Sequence, residues 1–309
     1  METTVGIFLV ILGLSQYVAS SSEWGYIGDA GPSHWTASYE NCGKNSQSPI
    51  DIPVNSMLEV DEQLGKFSYH GYDNTSVKMT LHNNGHTAVV LLDGDIWIEN
   101  GGLPSKYHAV QFHFHWGGDN DKGSEHTIEG RKYPLELHIV HYKTDYGSFA
   151  NAKNKSDGLA VIGVLATEMT NDNENLNKLV DNLHHVKYAG SEGFVLSGLS
   201  LKHLLPTYTD RFYRYSGSLT TPTCDESVTW TVLTERMLIS PRQLAKFREL
   251  FTTAQDAAHE EKMVDNFRPV MNLNSRKVKI NHAIAAGFSI HNNVSIGIVA
   301  AFVLILSQL

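Results

Sequence analysis

The sequence predicts a mainly β protein with flanking helices (α+β), a single domain around a large, twisted, mostly antiparallel central sheet. Three observations carry this reading. Short alternating runs bounded by Gly and Asn turns recur, among them Met79-Thr80-Leu81-His82 and Val89-Val90-Leu91-Leu92, the pattern of many half-buried strands. Helical spacing is confined to two stretches. Glu174 to Val186 carries Leu176, Leu179, Val180 and Leu183 on one stripe. Ser240-Pro241 ahead of Leu244, Phe247, Leu250 and Phe251 reads as an N-cap, a first-turn proline and an apolar stripe. Finally, no repeat, low-complexity stretch or linker divides Trp24 to Lys279.

Composition bounds the function. The 309 residues are 41% hydrophobic, enough for one full core, and the formal charge of −9 comes with no basic run. Nucleic acid is therefore excluded as an expected partner. Sixteen histidines are present, and only a few sit in informative patterns.

The most informative strand is Ala109 to Trp116. Alternation puts Val110, Phe112, Phe114 and Trp116 on one side, and Gln111, His113 and His115 on the other. A second strand, Leu135 to His141, puts Glu136, His138 and Val140 on one face, with Ile139 and His141 on the other. Three imidazoles from two strands suit a tetrahedral zinc site with one open position. Zinc-bound histidines need acceptors on their far nitrogens. Gln111 and Glu136, two residues from His113 and His138, are the candidates. His126 and His141 are expected to be buried, hydrogen-bonded and structural.

At these residues the chain resembles the α-class carbonic anhydrases. Ser124-Glu125-His126-Thr127-Ile128, Tyr133 and Glu136-Leu137-His138-Ile139-Val140 carry the family signature, and Ser46-Gln47-Ser48-Pro49-Ile50, Leu219-Thr220-Thr221-Pro222 and Asn266-Phe267-Arg268-Pro269 extend the match from about Trp24 to Lys279. The resemblance implies zinc-dependent, reversible hydration of carbon dioxide to bicarbonate and a proton. It assigns His113, His115 and His138 to the metal. Thr220, donating to Glu125, would orient a zinc-bound hydroxide, because a carboxylate can only accept. The backbone of Asn266 would hold the ring of His115. His86, beside the Asn84-Gly85 turn, would be the proton shuttle, with an unperturbed histidine titrating near pH 6.5. Val140, Val161, Leu219, Thr221, Val228 and Trp230 would line the pocket for an apolar substrate, with Phe149 farther out. Tyr213 to Ser218 reads as a loop leading to Thr220. All three zinc histidines, Thr220 and Glu125 are present, which argues against a catalytically silent binding module on the same fold. No His-Glu-x-x-His motif supports another zinc hydrolase.

Both ends carry processing signals. Val5 to Val18 followed by Ala19-Ser20-Ser21-Ser22 reads as a secretory signal peptide over residues 1–20. The catalytic domain then spans 21–280. In 281–309, the apolar run Ile296 to Leu306 after a polar spacer resembles a glycolipid (GPI) attachment signal, since no Lys or Arg follows it, with a short membrane anchor as the alternative. Candidate attachment sites are Asn274-Ser275 and the Asn281 to Ala283 region. In a secreted chain the two cysteines, Cys42 and Cys224, are expected to pair, as in extracellular members of the family. Asn74, Asn154 and Asn293 head glycosylation sequons.

Overall fold

The computed structural model describes residues 24–54 and 58–281. The expected signal peptide, Asn293 and the C-terminal hydrophobic run lie outside the described residues.

A mixed sheet of 13 strands forms the centre. The strands that build the site, numbered in chain order, are β1 (Lys78–Asn83), β2 (Ala88–Asp93), β3 (Tyr107–Trp116), β4 (Leu135–Lys143), β5 (Leu159–Glu168), β6 (Phe212–Gly217), β7 (Val228–Leu233) and β8 (Val278–Ile280). In space the order is β1-β2-β3-β4-β5-β7-β6-β8, with Phe194–Leu196 beyond β1 and Leu58–Val60 beyond β8. Along this path pairing is antiparallel except between β5 and β7, and between β8 and Leu58–Val60; off it, Met237–Ile239 also pairs parallel with β5. The strands form because β-branched and aromatic residues alternate along them and fill both faces.

Alternate residues feed two apolar clusters. Phe112, Phe114 and Trp116 of β3 join Leu135, Leu137 and Ile139 of β4 in the larger one, together with Leu176, Leu179, Leu244 and Phe247 from the helices. Val140, Val161, Val228, Trp230 and Tyr215 form the second. Each fully buried large side chain contributes about 1.5–3 kcal/mol to this packing.

The sequence expectation fails at one residue of β3. The register runs Ala109↔His141 and then Gln111↔Val140, so β3 advances two residues while β4 advances one. This is a β-bulge, in which the extra residue reverses the alternation. Val110 therefore packs with the second cluster, not with Phe112 and Phe114. From Gln111 onward the alternation is regular.

Two further boundaries are corrected. The expected loop Tyr213 to Ser218 is mostly strand β6, paired with β7 on one side and β8 on the other. Its Phe212, Tyr213 and Tyr215 are buried, and burial on both faces hides the alternation that marks a half-exposed strand. The helix expected over Glu174 to Val186 is an α-helix, α1 (Glu174–Val180), followed by a short 3-10 turn at Leu183–Val186. The second helix, α2 (Pro241–Phe247), starts as expected. Ser240 Oγ accepts from Gln243 N–H, and the Gln243 side chain reaches back to Ser240 N–H. Cys42 and Cys224 form a disulfide.

Candidate active site

The register of β3 against β4 assembles the site. His113 lies directly opposite His138, and His115 opposite Glu136. A ligand nitrogen from each of His113, His115 and His138 lies within 4.8 Å of the others. The one-residue accuracy of this pairing matters, because a slip of one would send His138 to the opposite face.

The far nitrogen of each ring is committed. His113 Nδ1 is 2.9 Å from Gln111 Oε1. His115 Nδ1 donates to the Asn266 carbonyl at 2.7 Å. His138 Nε2 donates to Glu136 Oε1 at 2.7 Å. Since the acceptors cannot donate, each ring carries its proton on that side. The free lone pairs are then Nε2 of His113, Nε2 of His115 and Nδ1 of His138, and these face one another. Burial holds His113 well below the usual imidazole value, and repulsion from His115 and His138 adds to it. Burial also lowers His115, against the pull of Glu125.

Glu136 anchors the arrangement. Its Oε2 accepts from the Glu125 and His126 backbone N–H groups at 2.9 and 2.8 Å. Its Oε1 accepts from His126 Nδ1 and His138 Nε2, both at 2.7 Å. Burial pushes this carboxyl up, but the positive potential and hydrogen bonds of His126 and His138 outweigh it and hold it well below the usual carboxylate range. His126, whose Nδ1–H donates to Glu136, presents Nε2 to Tyr215 Oη at 2.6 Å. Tyr215 Oη in turn lies 2.9 Å from Ser48 Oγ. His126 and His141 are both fully buried and hydrogen-bonded, as expected. His141 sits between the Tyr72 hydroxyl at 2.6 Å and the Ala160 carbonyl at 3.0 Å.

Glu125 behaves differently from the expectation. The structure describes no hydrogen bond between Thr220 and Glu125. Glu125 Oε1 accepts from Arg268 N–H at 2.8 Å, while its Oε2 is buried with no hydrogen-bond partner. That oxygen lies 3.4 Å from His115 Nε2, which is also buried and unpartnered. With the His115 proton on Nδ1, two buried lone pairs face each other. Such a pair is costly unless a cation neutralises it. A divalent cation held by three neutral nitrogens fits this place, and the donor set is the one zinc prefers in a catalytic site.

Eukaryotic-type carbonic anhydrase is the family whose model matches residues 30–282. The chain belongs to the eukaryotic-type carbonic anhydrase family. It is 41% identical to carbonic anhydrase 12 of Homo sapiens over 280 residues, covering 88% of this chain and 78% of that one. It is 40% identical to carbonic anhydrase 7 of Homo sapiens over 262 residues, covering 83% and 96%. With carbonic anhydrase 15 of Mus musculus the identity is 34% over 280 residues, covering 87% and 86%. As a carbonic anhydrase the protein is a zinc enzyme, and the histidine triad is the group of residues that could hold its metal.

The expected pocket wall lies in one row across the sheet. Gln111 opposes Val140, Val140 opposes Val161, and Val161 opposes Trp230. Val228, two residues before Trp230 on the same face, is buried with them. Leu219 packs partly buried against this cluster, and Thr221 is half-buried beyond it.

His86 departs from its expected state. Asn84 Oδ1 accepts from the backbone N–H of His86, and Asn266 Nδ2 donates to its carbonyl. The ring stacks on Trp24, centroids 3.7 Å apart and planes within 5°. Burial pulls its pKa down to about 4, so in this position it is neutral at pH 7 and a poor proton acceptor. The sequence showed the turn but not the partner 62 positions away.

Gly163 and Tyr215 escaped the sequence reading. Gly163 lies opposite His138, and a Cβ there would come within 3.2 Å of Glu136 Oε1. The only signal was a glycine inside an apolar strand, which marks a close approach. Tyr215 was hidden by reading β6 as a loop.

Proposed function

We propose that this carbonic anhydrase hydrates carbon dioxide reversibly at the extracellular face of a cell, with His113, His115 and His138 holding the zinc. The observation that carries this is the convergence of three imidazole lone pairs whose opposite nitrogens are all committed to fixed acceptors. Bound zinc supplies a Lewis acid that yields a hydroxide nucleophile from water near pH 7, the behaviour known for carbonic anhydrase. Gln111, Glu136 and the Asn266 carbonyl keep the rings oriented. Val140, Val161, Leu219, Val228 and Trp230 offer apolar carbon dioxide a dry wall and exclude water from it, with Thr221 at its edge. Thr220 would orient the attacking hydroxyl when its own O–H donates a hydrogen bond to Glu125, a role that requires Glu125 as an acceptor.

Protons leave through His86. Swinging off Trp24 into water restores an imidazole pKa near 6.5, which lets the ring accept a proton and pass it to buffer. The stacked position, at about 4, is the state from which it has already let the proton go.

The signal peptide and the disulfide between Cys42 and Cys224 support a secretory route, since disulfides persist in oxidising compartments. Asn74 and Asn154 are exposed, as glycosylation acceptors must be. A C-terminal glycolipid anchor accounts for the hydrophobic tail. Attachment in the Asn281 to Ala283 region leaves the sheet whole. Attachment at Asn274-Ser275 would remove β8, whose Val278 and Ile280 are buried.

The deciding test is zinc content together with stopped-flow carbon dioxide hydration, on residues 21–280 and on its His138→Ala variant. The parent should hold one zinc per chain and be active, and the variant should lose both. Full activity in the variant would remove the ligand assignment. Phosphoinositide-specific phospholipase should release the full-length protein from cells, and retention would favour a membrane span.

A further inference from the structure

We propose that Arg268 is a positioning residue for Glu125, and that its guanidinium sets the spacing between Glu125 and Thr220 by clamping the segment that carries the disulfide. The proposal rests on the reading of Glu125 as the acceptor for Thr220. Glu125 is fully buried, and the hydrogen bond described for its carboxylate is the one from Arg268 N–H. A carboxylate held by one donor goes where that donor goes. The place of the residue 268 peptide therefore decides the place of Glu125.

That peptide is fixed by its own side chain. Arg268 is 2% exposed. Nη1 donates to Gln47 Oε1 at 2.8 Å and to the Ser48 carbonyl at 2.9 Å. Nη2 donates to the Cys42 carbonyl at 2.8 Å. The guanidinium also lies over Trp35, 5.5 Å from the ring centroid. These three acceptors come from residues 42–48, and none is a carboxylate. Burying a cation on carbonyl groups alone is costly. Glu125 is the anion whose field opposes that cost.

The clamp reaches Thr220 from the other side. Gln47 Nε2 donates to the Cys224 carbonyl at 3.2 Å, and Cys224 N–H donates to the Thr221 carbonyl at 2.8 Å. Both half-cystines thus touch the Arg268–Gln47 pair, one directly and one through the amide. Glu125 hangs from the peptide N–H of Arg268, and Thr220 from the turn that Cys224 closes. A planar fork holding three acceptors at once is something lysine cannot reproduce.

The test is a double-mutant cycle in the zinc-loaded enzyme, with Arg268→Lys, Glu125→Gln and the pair. Arg268→Lys should lower kcat roughly 10- to 100-fold, the scale of an ångström-level displacement of a positioning group, with KM nearly unchanged. Zinc affinity, measured by chelator competition, should hold within about 3-fold because the three imidazoles and their acceptors are untouched. The double variant should be no slower than Glu125→Gln alone, since Arg268 acts through Glu125. Losses that multiply, or full activity in Arg268→Lys, overturn the proposal. Full activity in Glu125→Gln instead removes the underlying reading of Glu125. Should Arg268→Lys not fold, Gln47→Leu loosens the same clamp and takes its place in the cycle, with the same outcomes deciding.

Discussion

Glu136→Gln is the sharpest perturbation the geometry offers. The substitution is nearly isosteric, yet it turns one of two acceptor oxygens into a donor. All four hydrogen bonds to this side chain come from N–H donors: two from backbone and two from His126 and His138. An amide can satisfy two of them. If its NH2 faces the imidazoles, His126 and His138 must both shift their protons. His126 can do so, because the Tyr215 hydroxyl beyond it can accept as well as donate. His138 cannot without cost, because its proton would move to Nδ1, the nitrogen the metal needs. If the NH2 instead faces the backbone, two buried N–H groups lose their acceptor, at about 1–3 kcal/mol each. Either orientation also forfeits charge-assisted bonds worth roughly 1.5–3 kcal/mol apiece. We expect the zinc affinity to fall at least about 10- to 100-fold, and the metal-free protein to lose several degrees of Tm. Chelator competition measures the first and calorimetry the second. Zinc affinity within 3-fold of the parent, with unchanged Tm, would refute the assignment of Glu136 as the group that fixes His138.

Other expectations can be checked alongside. His141 is held neutral by burial with a pKa of about 4, below the value near 6.5 of an unfolded chain. The unfolded state thus takes up the proton first, so stability is lost as pH falls from about 6.5 to 4. Over 2.5 units this amounts to about 3 kcal/mol, and His141→Gln should flatten the acid limb of Tm against pH; an unchanged limb would show that His141 is not its source. Removing the disulfide with Cys42→Ser and Cys224→Ser opens a sequence separation of 182 residues, and should cost up to about 5 kcal/mol by loop-closure entropy, read from denaturant midpoints. His86→Ala should slow turnover in weak buffer and recover with added imidazole, whereas no slowing would mean another group carries the proton.

The site was legible in the sequence to the extent that chemistry is local. His113, His115 and His138 declare themselves because period 2 puts side chains two apart on one face, and Gln111 and Glu136 lie within that same spacing of their rings. The signature around Glu125 and Thr220 singles out a carboxylate and a hydroxyl, but the structure hangs Glu125 from Arg268 N–H and describes no bond from it to Thr220. The strand β6 was misread because both of its faces are buried, so its polarity no longer alternates with its geometry.

What the sequence alone determined is therefore the list of donors, the strands that carry them and the caps of the second helix. These depend on spacing and on residues within a few positions of one another. Only the tertiary structure decided which nitrogen of each ring is free, where β3 bulges at Val110, that Trp24 covers His86, and that Arg268 spans from Glu125 to the cysteine segment. Each of these depends on a partner remote in the chain. Such a partner is chosen by register and by the cost of burying an unmatched polar group, and neither quantity exists until the sheet has closed around it.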